Sequence, residues 1–434
     1  MIIGIAGLSH LGIITAVGLA EKGFKILAWD SDLDRSKNFR TGKTTISEPL
    51  LSELLYKNST NITFAENCSE LEIADLVYIA ADTPTDNASP KNLIFIHKII
   101  SEVTKFSKKE AVIIILSQVP PGFTRRIKIP NKHLFYQVET LIFGRAIERF
   151  LKPERFIIGC ADSKQPIHSA LLTILETFNC PILPMSYESA ELAKISINCM
   201  LTAQISTTNM LSSLCESIGA SWSEITPALQ SDKRIGKYAY LEPGLGLAGG
   251  NLERDLKVLN DLTAINQIEN TQIAAWLKTS DYQKTWLFRN LKSIVLDHIR
   301  NPKIAVLGLA YKENTDSIKN SPAIHFLNQI KGHDIYVHDP VVKLNNILWA
   351  KQVQNPFEAI EGADVLILTT AWPEYKNISI RDINAWMRGR IIIDPLAVLF
   401  NQNPERFDFK WLRLGSKTID KNLQEPVVVT NSVL

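Results

Sequence analysis

The first residues of the chain alternate between short apolar runs and a longer segment with a helical pattern. The apolar run MIIGIAG is followed by the glycine-containing turn LSHLG, an apolar segment through Leu19, and a second run, GFKILAWD, that ends at Asp30. Short apolar strands that alternate with helices are typical of a parallel sheet covered by helices. The pattern therefore predicts an α/β domain at the start of the chain.

The same pattern recurs near the C-terminus. The run KIAVLGLA at 303–310 resembles the first run, and GHDIYVHD at 332–339 resembles GFKILAWD, since each closes on an aspartate. The run ADVLILTTAWP at 363–373 likewise resembles ADLVYIAADTP at 74–84. We interpret these repeats as two doubly wound α/β halves built on one plan.

The segment between the two halves has a different pattern. From about Ser186 to Glu216 the sequence contains neither proline nor glycine, which predicts one long helix. Residues 241–251 contain a cluster of glycines, which predicts a loop whose backbone can approach a ligand closely. The last twenty residues are polar apart from one VVV run, and they predict a tail or an edge strand.

Composition narrows the class of protein. The chain has 434 residues, of which 45% are hydrophobic and 21% charged, which is typical of a globular protein with two or three domains. The net charge of +2 gives no field that would attract nucleic acid or a membrane surface, and no later apolar run approaches the length of a membrane span. The five cysteines form no CxxC pair, so we expect no disulfide framework, no metal site and a cytoplasmic setting.

The turn after the first predicted strand has the features of a dinucleotide-binding loop. Gly7 and Gly12 flank it, a helix is predicted to follow it, and Asp30 ends the next strand. In such loops the helix N-terminus meets the pyrophosphate and the carboxylate binds the ribose hydroxyls, which favours NAD over NADP. Ser9 departs from the usual glycine, so a structural turn or a vestigial site remains an alternative, and we interpret His10 as a packing residue of the loop.

Short motifs then follow in order along nearly the whole chain. They are Arg35, Glu48-Pro49, Asp82-Thr83-Pro84-Thr85, Ser117-Gln118-Val119-Pro120-Pro121-Gly122, Ala190-Glu191-Leu192-Ala193-Lys194 with Asn198, Asp232-Lys233-Arg234-Ile235-Gly236, Pro243-Gly244-Leu245-Gly246, Gly308-Leu309-Ala310-Tyr311-Lys312, Asn314-Thr315-Asp316 and Ser321-Pro322-Ala323. In this order they resemble the UDP-glucose/GDP-mannose dehydrogenase family. The resemblance implies an NAD-dependent enzyme that oxidises the C6 hydroxymethyl group of a nucleotide sugar to a carboxylate by two hydride transfers.

The resemblance also implies a fold and partners. We expect an α/β protein with two Rossmann-like doubly wound domains joined by a long central helix. The expected domains are an NAD-binding domain over 1–184, a central helical dimerisation domain with the substrate loop over 185–298, and a nucleotide-sugar-binding domain over 299–434. The implied partners are a nucleotide sugar, most simply a UDP-hexose, and a second copy of the chain, with a role in polysaccharide biosynthesis.

Candidate site residues come partly from spacing and partly from the resemblance. Lys194 and Asn198 are four residues apart and so share one helix face, where a lysine and an amide can hydrogen-bond an alkoxide. The resemblance places this pair at the reacting C6 oxygen and adds Asp255 and Glu139 to catalysis. It further implies substrate binding by Glu139, Lys194, Asn198, Arg234, Gly244, Gly246, Tyr311 and Lys312. For the cofactor it implies Gly7, Gly12, Asp30, Arg35, Thr83, Gln118 and Lys319.

Several positions depart from the family pattern. Asn251 stands where the family carries its catalytic cysteine, and a carboxamide has no comparable nucleophilicity, so covalent catalysis there should be lost. Cys199 lies about 140° around the helix from Lys194, so we expect it to point away and not to substitute. The other departures are Phe143 for a second glutamate, Gln118 for a threonine, Arg254 for a lysine, and Lys319 and Leu396 for arginines.

Three functions stay open from the sequence. The first is an altered dehydrogenase that oxidises C6 to the aldehyde, or slowly to the acid. The second is a full 6-dehydrogenase that makes the uronic acid with some substitute for the cysteine. The third is a catalytically inactive homologue that binds a nucleotide sugar and regulates or scaffolds a partner.

Overall fold

The computed structural model describes residues 1–42, 46, 48–82, 90–164, 166–344 and 347–416. The predicted cofactor residue Thr83 and nearly all of the predicted C-terminal tail lie outside these ranges. The chain divides into two compact units, one formed by 1–198 with 254–259 and the other by 199–253 with 260–434. Within the described ranges no helix is both long and apolar enough to cross a bilayer.

The strands are short and mostly buried. They are β1 Ile2–Ala6, β2 Lys25–Trp29, β3 Ile62–Phe64, β4 Leu76–Ile79, β5 Val112–Ile115, β6 Leu134–Gln137, β7 Phe156–Cys160, β8 Ile182–Ser186, β9 Lys303–Leu307, β10 Asp334–His338, β11 Lys351–Gln352, β12 Val365–Leu368, β13 Ile391–Ile393 and β14 Lys410–Leu412. Central strands such as β4 and β12 are buried along their whole length, as expected where helices cover both faces of a sheet.

The α-helices lie between the strands and in the segment that separates the two halves. They are α1 His10–Glu21, α2 Leu33–Arg40, α3 Leu51–Lys57, α4 Pro90–Phe106, α5 Ala146–Leu151, α6 Ser169–Glu176, α7 Tyr187–Ile218, α8 Trp222–Ser231, α9 Asn251–Ile265, α10 Thr271–Lys284, α11 Trp286–Leu291, α12 Pro322–Gln329, α13 Pro356–Ile360, α14 Pro373–Lys376 and α15 Ile380–Trp386. The long central helix predicted from the sequence is therefore confirmed as α7.

Each unit contains one sheet of Rossmann type. The strands pair in the order β3-β2-β1-β4-β5-β6-β7-β8 in the first unit and β11-β10-β9-β12-β13-β14 in the second. In both orders the first strand of the half lies at the centre, and the chain winds outward from it on both sides, which defines a doubly wound sheet. The predicted fold class is confirmed.

The repeat seen in the sequence is also a structural repeat. Gly7 and Gly308 directly follow the first strands of their halves, with φ angles of +104° and +108°. The aspartate that closes the next strand then accepts a hydrogen bond from the residue after that glycine. Asp30 accepts from the N–H of Leu8 at 2.6 Å, and Asp339 accepts from the N–H of Leu309 at 2.7 Å.

One pair of strands differs from the predicted parallel arrangement. β6 and β7 are antiparallel, whereas β7 and β8 are parallel again. The helix between them, α5, has six residues, which is about 9 Å. β7 runs opposite to β6, and the sheet of the first unit is therefore mixed at this point.

Candidate active site

The loop between β1 and α1 has the shape that a dinucleotide requires. Gly7 adopts a positive φ, and a β-carbon placed on Gly12 would overlap the carbonyl oxygen of Gly7. Both glycines are therefore needed for the tight turn that brings the α1 N-terminus to the end of β1. A helix N-terminus with a close-lying backbone is suited to a pyrophosphate. These residues fit NAD.

Ser9, the departure from the glycine pattern, has a structural role in this loop. Its hydroxyl donates a hydrogen bond to the carbonyl of Ala80 at 3.3 Å and accepts one from the N–H of Asp82 at 2.8 Å. Since Ala80 follows directly after β4, the serine fastens the loop to the neighbouring strand end. The hydrogen bonds of Ser9 hold the loop against the end of β4, so the tight turn forms although the usual glycine is absent.

Asp30 is almost fully buried at the end of β2. Its carboxylate holds the loop through Leu8 and accepts a second hydrogen bond from the N–H of Asp32 at 2.8 Å. The guanidinium of Arg35 lies 3.8 Å from the same carboxylate. Each carboxylate oxygen can accept more than one hydrogen bond, so Asp30 is compatible with ribose hydroxyls as well.

Two members of the predicted reactive group lie on α7, and each contacts a carboxylate. The Lys194 ammonium lies 3.4 Å from the carboxylate of Glu139, and both side chains are largely buried. One turn later, the Asn198 amide nitrogen donates to Asp255 at 2.5 Å. The structure thus brings Lys194, Asn198, Glu139 and Asp255 together in pairs within the first unit.

Gln118 was predicted as a cofactor residue, and the structure places it against Asp255. Its amide nitrogen donates to the Asp255 carboxylate at 2.6 Å, and its amide oxygen accepts from the guanidinium of Arg254. Arg254 also donates to Asp255 at 3.1 Å. Sequence reasoning marked Arg254 only as a departure. The sequence alone gives no sign of the contact between Gln118 and Arg254, because 136 positions separate the two residues.

Phe143 and His10 form a second group that the sequence did not connect. Their rings lie 4.3 Å apart between centroids, and His10 Nε2 lies 2.8 Å from the Glu48 carboxylate. Glu48 also accepts hydrogen bonds from the N–H groups of Gly144 and Ala146. His10 thus both packs on Phe143 and contacts the carboxylate of Glu48, and Glu48 holds the segment that follows Glu139.

The glycine-rich loop predicted over 241–251 belongs to the second unit and precedes α9. The N–H of Gly244 donates to the amide oxygen of Asn209, a buried residue of α7, at 2.8 Å. Gly246 has a φ of +93°, and a β-carbon there would lie 2.7 Å from the carbonyl oxygen of Ser280. A β-carbon on Gly249 would lie 3.1 Å from the ring of Tyr311. The loop therefore packs closely against α10 and Tyr311, and it needs its glycines.

The remaining predicted residues of the second unit are placed separately. The side chain of Arg234 is 88% exposed and forms a bidentate pair with Asp232. Lys312 lies with its ammonium 5.6 Å from the Tyr311 ring centre. Lys319 lies in the turn before α12, where its N–H donates to the hydroxyl of Ser317 at 3.4 Å. Asn251 is exposed and is the first residue of α9.

The cysteines of the chain lie away from solvent to different extents. All five lie within the described ranges, and all are free thiols. Three of them, Cys68, Cys160 and Cys215, are buried, whereas Cys180 and Cys199 are partly buried. Burial raises the pKa of the Cys199 thiol, which disfavours the thiolate needed for nucleophilic attack.

The two Rossmann-type sheets and the glycine turn define a dinucleotide-binding α/β protein. Three family models match the chain in sequence: the NAD binding domain over 1–179, the central domain over 188–282 and the UDP binding domain over 305–401 of the UDP-glucose/GDP-mannose dehydrogenase family. The chain belongs to this family. By activity it is an NAD-dependent nucleotide-sugar dehydrogenase.

Similar proteins cover nearly all of the chain. A UDP-glucose 6-dehydrogenase of Rickettsia typhi is 25% identical over 95% of this chain and 98% of its own length. A putative UDP-glucose 6-dehydrogenase of Bacillus subtilis, YtcA, is 28% identical over 92% of this chain and 96% of its own. The structure of a UDP-glucose dehydrogenase from Pyrobaculum islandicum matches with a TM-score of 0.82 and 26% identity, covering 96% of this chain and 98% of that one.

Proposed function

We propose that this dehydrogenase oxidises the C6 hydroxymethyl group of a UDP-hexose and releases the aldehyde after one oxidation. The observation that carries the proposal is the pair on α7. Lys194 and Asn198 lie one turn apart, and each is held by its own carboxylate, Glu139 or Asp255. Hydrogen-bond donors that are fixed before the reaction can stabilise the negative charge that develops on the sugar oxygen O6.

The chemistry of this step is simple to balance. NAD, when bound, accepts the hydride that leaves C6. Lys194 and Asn198 stabilise O6 as its bond to hydrogen weakens, and the O6 proton is released to solvent. The Gly7–Gly12 turn and Asp30 would hold the cofactor, and Arg35, Gln118 and Lys319 remain proposed contributors. The products are an aldehyde at C6, NADH and one proton.

Three positions support a reaction that stops at the aldehyde. Asn251 provides no nucleophile for a covalent adduct. Phe143 replaces the second glutamate of the family pattern with an apolar ring that packs on His10. Asp255 is 1% exposed, and its carboxylate accepts hydrogen bonds from protein side chains, which does not suit it to activating a water molecule.

The match of the UDP binding domain supports a uridine nucleotide as the sugar carrier. The names of the bacterial relatives support glucose as the first sugar to test. We assign Gly244, Gly246, Tyr311 and Lys312 to sugar-nucleotide binding, since the glycine loop and Tyr311 pack together in the second unit. Arg234, which is exposed, is assigned to the substrate of a partner subunit.

Domain boundaries, assembly and location belong to the same proposal. We place the NAD domain at 1–184, the central domain at 185–298 and the nucleotide-sugar domain at 299–434, boundaries supported by the three family matches. Exposed apolar residues of α7, among them Met200, Met210, Leu214 and Ile218, support a homodimer.

Free cysteines support a cytoplasmic setting.

The dimer is testable by one substitution on this face. Leu214→Glu puts a charge on an exposed apolar position of α7, and burying an unpaired charge in an interface is costly. We expect the variant to elute as a monomer in size-exclusion chromatography with light scattering, whereas the wild type elutes as a dimer. Tyr56→Glu, at an exposed position of α3, is the control and should leave the mass unchanged. A monomeric wild type would contradict the assembly.

The decisive measurement for the activity is the number of NADH molecules formed per nucleotide sugar consumed. Purified protein is incubated with NAD and a panel of UDP-, GDP- and TDP-hexoses, and absorbance and mass spectrometry follow the products. One NADH and an aldehyde would support the proposal. Two NADH and a uronic acid would contradict it and favour the full 6-dehydrogenase. No turnover, with a ligand-induced rise in melting temperature still present, would favour the inactive homologue.

A further inference from the structure

The carboxylate of Asp255 accepts hydrogen bonds from three side chains, and one of them is Asn198. Asp255 accepts from Gln118 at 2.6 Å and from Arg254 at 3.1 Å, and Arg254 also donates to the oxygen of Gln118. Arg254, Gln118 and Asp255 therefore form a closed ring of hydrogen bonds, which we call the Asp255 clamp. Asn198 contacts the clamp through the carboxylate.

Chemistry fixes the orientation of each amide in this set. A guanidinium can only donate hydrogen bonds, so the Gln118 oxygen must face Arg254, and its nitrogen then faces Asp255. An ionised carboxylate can only accept, so Asn198 must present its nitrogen to Asp255. The amide of Asn198 consequently has a set direction for its donor and for its acceptor.

Burial makes the clamp costly to disrupt. Asp255 is 1% exposed, Asn198 is 8% exposed, and the Arg254 side chain is 11% exposed. A buried carboxylate that loses a donor is not compensated by water, so it moves toward the donors that remain. Loss of Gln118 should therefore displace Asp255 toward Arg254 and release Asn198.

We propose that Gln118 and Arg254 are positioning residues that hold Asp255 so that it fixes the Asn198 amide against the reacting oxygen of the substrate. Asp255 then acts through Asn198 as a fixed acceptor, and it takes no proton from water or substrate. The inference deepens the proposed function and rests on it, because it uses the assignment of Lys194 and Asn198 to the sugar C6 oxygen.

The kinetic test uses Gln118→Met, which keeps the length of the side chain and removes both hydrogen bonds. We expect kcat to fall by about 10- to 100-fold, with the KM for UDP-glucose within about threefold of wild type, because the amide is misplaced while the remaining binding contacts stay. Arg254→Lys keeps the charge and the donors but replaces the two separated guanidinium nitrogens, Nε and Nη2, with a single nitrogen, so it should give a smaller loss of kcat. The control is Gln283→Met, at a buried glutamine of α10, which should leave kcat unchanged.

A double-substitution cycle separates positioning from general stability. If Gln118 acts through Asn198, then Gln118→Met should have little further effect, within about twofold, when Asn198 is already alanine. Fully additive losses would overturn the proposal. So would a rise in KM with unchanged kcat, which would instead make Gln118 a binding residue. If Gln118→Met does not fold, Gln118→Glu, which replaces the donor with a repelling carboxylate, serves in the same cycle.

A second measurement does not depend on turnover. In protein labelled with ¹⁵N-asparagine, the side-chain amide of Asn198 is identified as the signal that Asn198→Ala lacks. Its protons should exchange with solvent at least about 10-fold faster in Gln118→Met than in the wild type or Gln283→Met. Unchanged exchange would overturn the clamp. Faster exchange in a protein that turns over no sugar nucleotide would sustain the clamp and contradict the proposed function.

Discussion

At the scale of single residues, we expect position 251 to decide how many oxidations occur. Asn251 is the first residue of α9, and a helix N-terminus stabilises a thiolate. We therefore expect Asn251→Cys to raise the yield toward about two NADH per sugar, through a covalent adduct and its oxidation. The measurement is product analysis by mass spectrometry, with uronic acid as the new product.

The control for this substitution is Asn251→Ser, which is similar in size to the cysteine variant but a much weaker nucleophile. It should leave the yield at about one NADH per sugar. If Asn251→Cys also stays at one, then position 251 alone does not limit the second oxidation. Phe143, which stands in place of a glutamate, would be the next residue to change.

Lys194 carries the sharpest prediction for the first oxidation. We expect Lys194→Met to lower kcat by about 100-fold or more, because the charge that develops on O6 loses its cationic partner. Binding of NAD, followed by fluorescence, should remain as in the wild type. Lys292→Met, at an exposed lysine paired with Asp297, is the matched control. Turnover that survives Lys194→Met would show that another group supports the reaction.

The sequence predicted some of these residues and missed others for a physical reason. Lys194 and Asn198 could be paired because helix geometry places residues four apart on one face. The family resemblance assigned Glu139 and Asp255 to catalysis but did not show which residue each contacts, since Glu139 is 55 residues from Lys194 and Asp255 is 57 from Asn198. Long-range side-chain contacts of this kind leave no periodic signal in one sequence.

At the scale of elements, we assign two functions to the two halves of α7. Its first half bears the reactive pair, and its second half anchors the glycine-rich loop through Asn209. The length of α7 was predictable from a run without proline or glycine. The direction of β7 was not, because residue alternation shows that a strand is half-buried or buried but not which way it runs.

The loop anchor can be tested at Asn209. Asn209→Leu removes the hydrogen bond to Gly244, so more of the binding energy must be used to order the loop. We expect the KM for the nucleotide sugar to rise by about 3- to 10-fold, as loss of one buried hydrogen bond predicts, with kcat changed little. Steady-state kinetics with the sugar nucleotide varied give both constants.

A suitable control lies on the same helix. Ser206 is buried on α7, and its hydroxyl contacts no hydrogen-bond partner within the described part of the chain. Ser206→Ala should therefore leave the KM unchanged. An equal rise in KM for both variants would point to a general disturbance of α7 and would contradict a specific tether at Asn209.

At the scale of the whole molecule, buried ionisable groups in both units make stability depend on pH in opposing ways. Burial lowers the pKa of His133 in the first unit and of His338 in the second. Burial raises the pKa of Asp394, in the second unit, to about 6. The change in stability with pH is therefore the sum of a contribution from the two histidines and a contribution of opposite sign from Asp394.

The sign of each effect follows from proton uptake. As the pH falls through about 6.5, the unfolded chain takes up protons on these histidines more readily than the folded chain does at His133 and His338, so acidification destabilises the fold. Asp394 behaves in the opposite way. As the pH falls through about 6, Asp394 is protonated in the folded chain before it is protonated in the unfolded chain. Acidification therefore removes the free-energy cost of burying a charged carboxylate at neutral pH.

Substitutions can separate the two effects. His133→Leu removes a buried imidazole, so the loss of melting temperature between pH 7.5 and pH 5.5 should become smaller than in the wild type. Asp394→Asn removes the stabilisation that comes from protonating this buried carboxylate. The melting temperature should therefore fall further between pH 7.5 and pH 5.5 than in the wild type. Melting followed by tryptophan fluorescence at both pH values gives the comparison, and equal slopes in wild type and His133→Leu would contradict a neutral buried His133 in the folded protein.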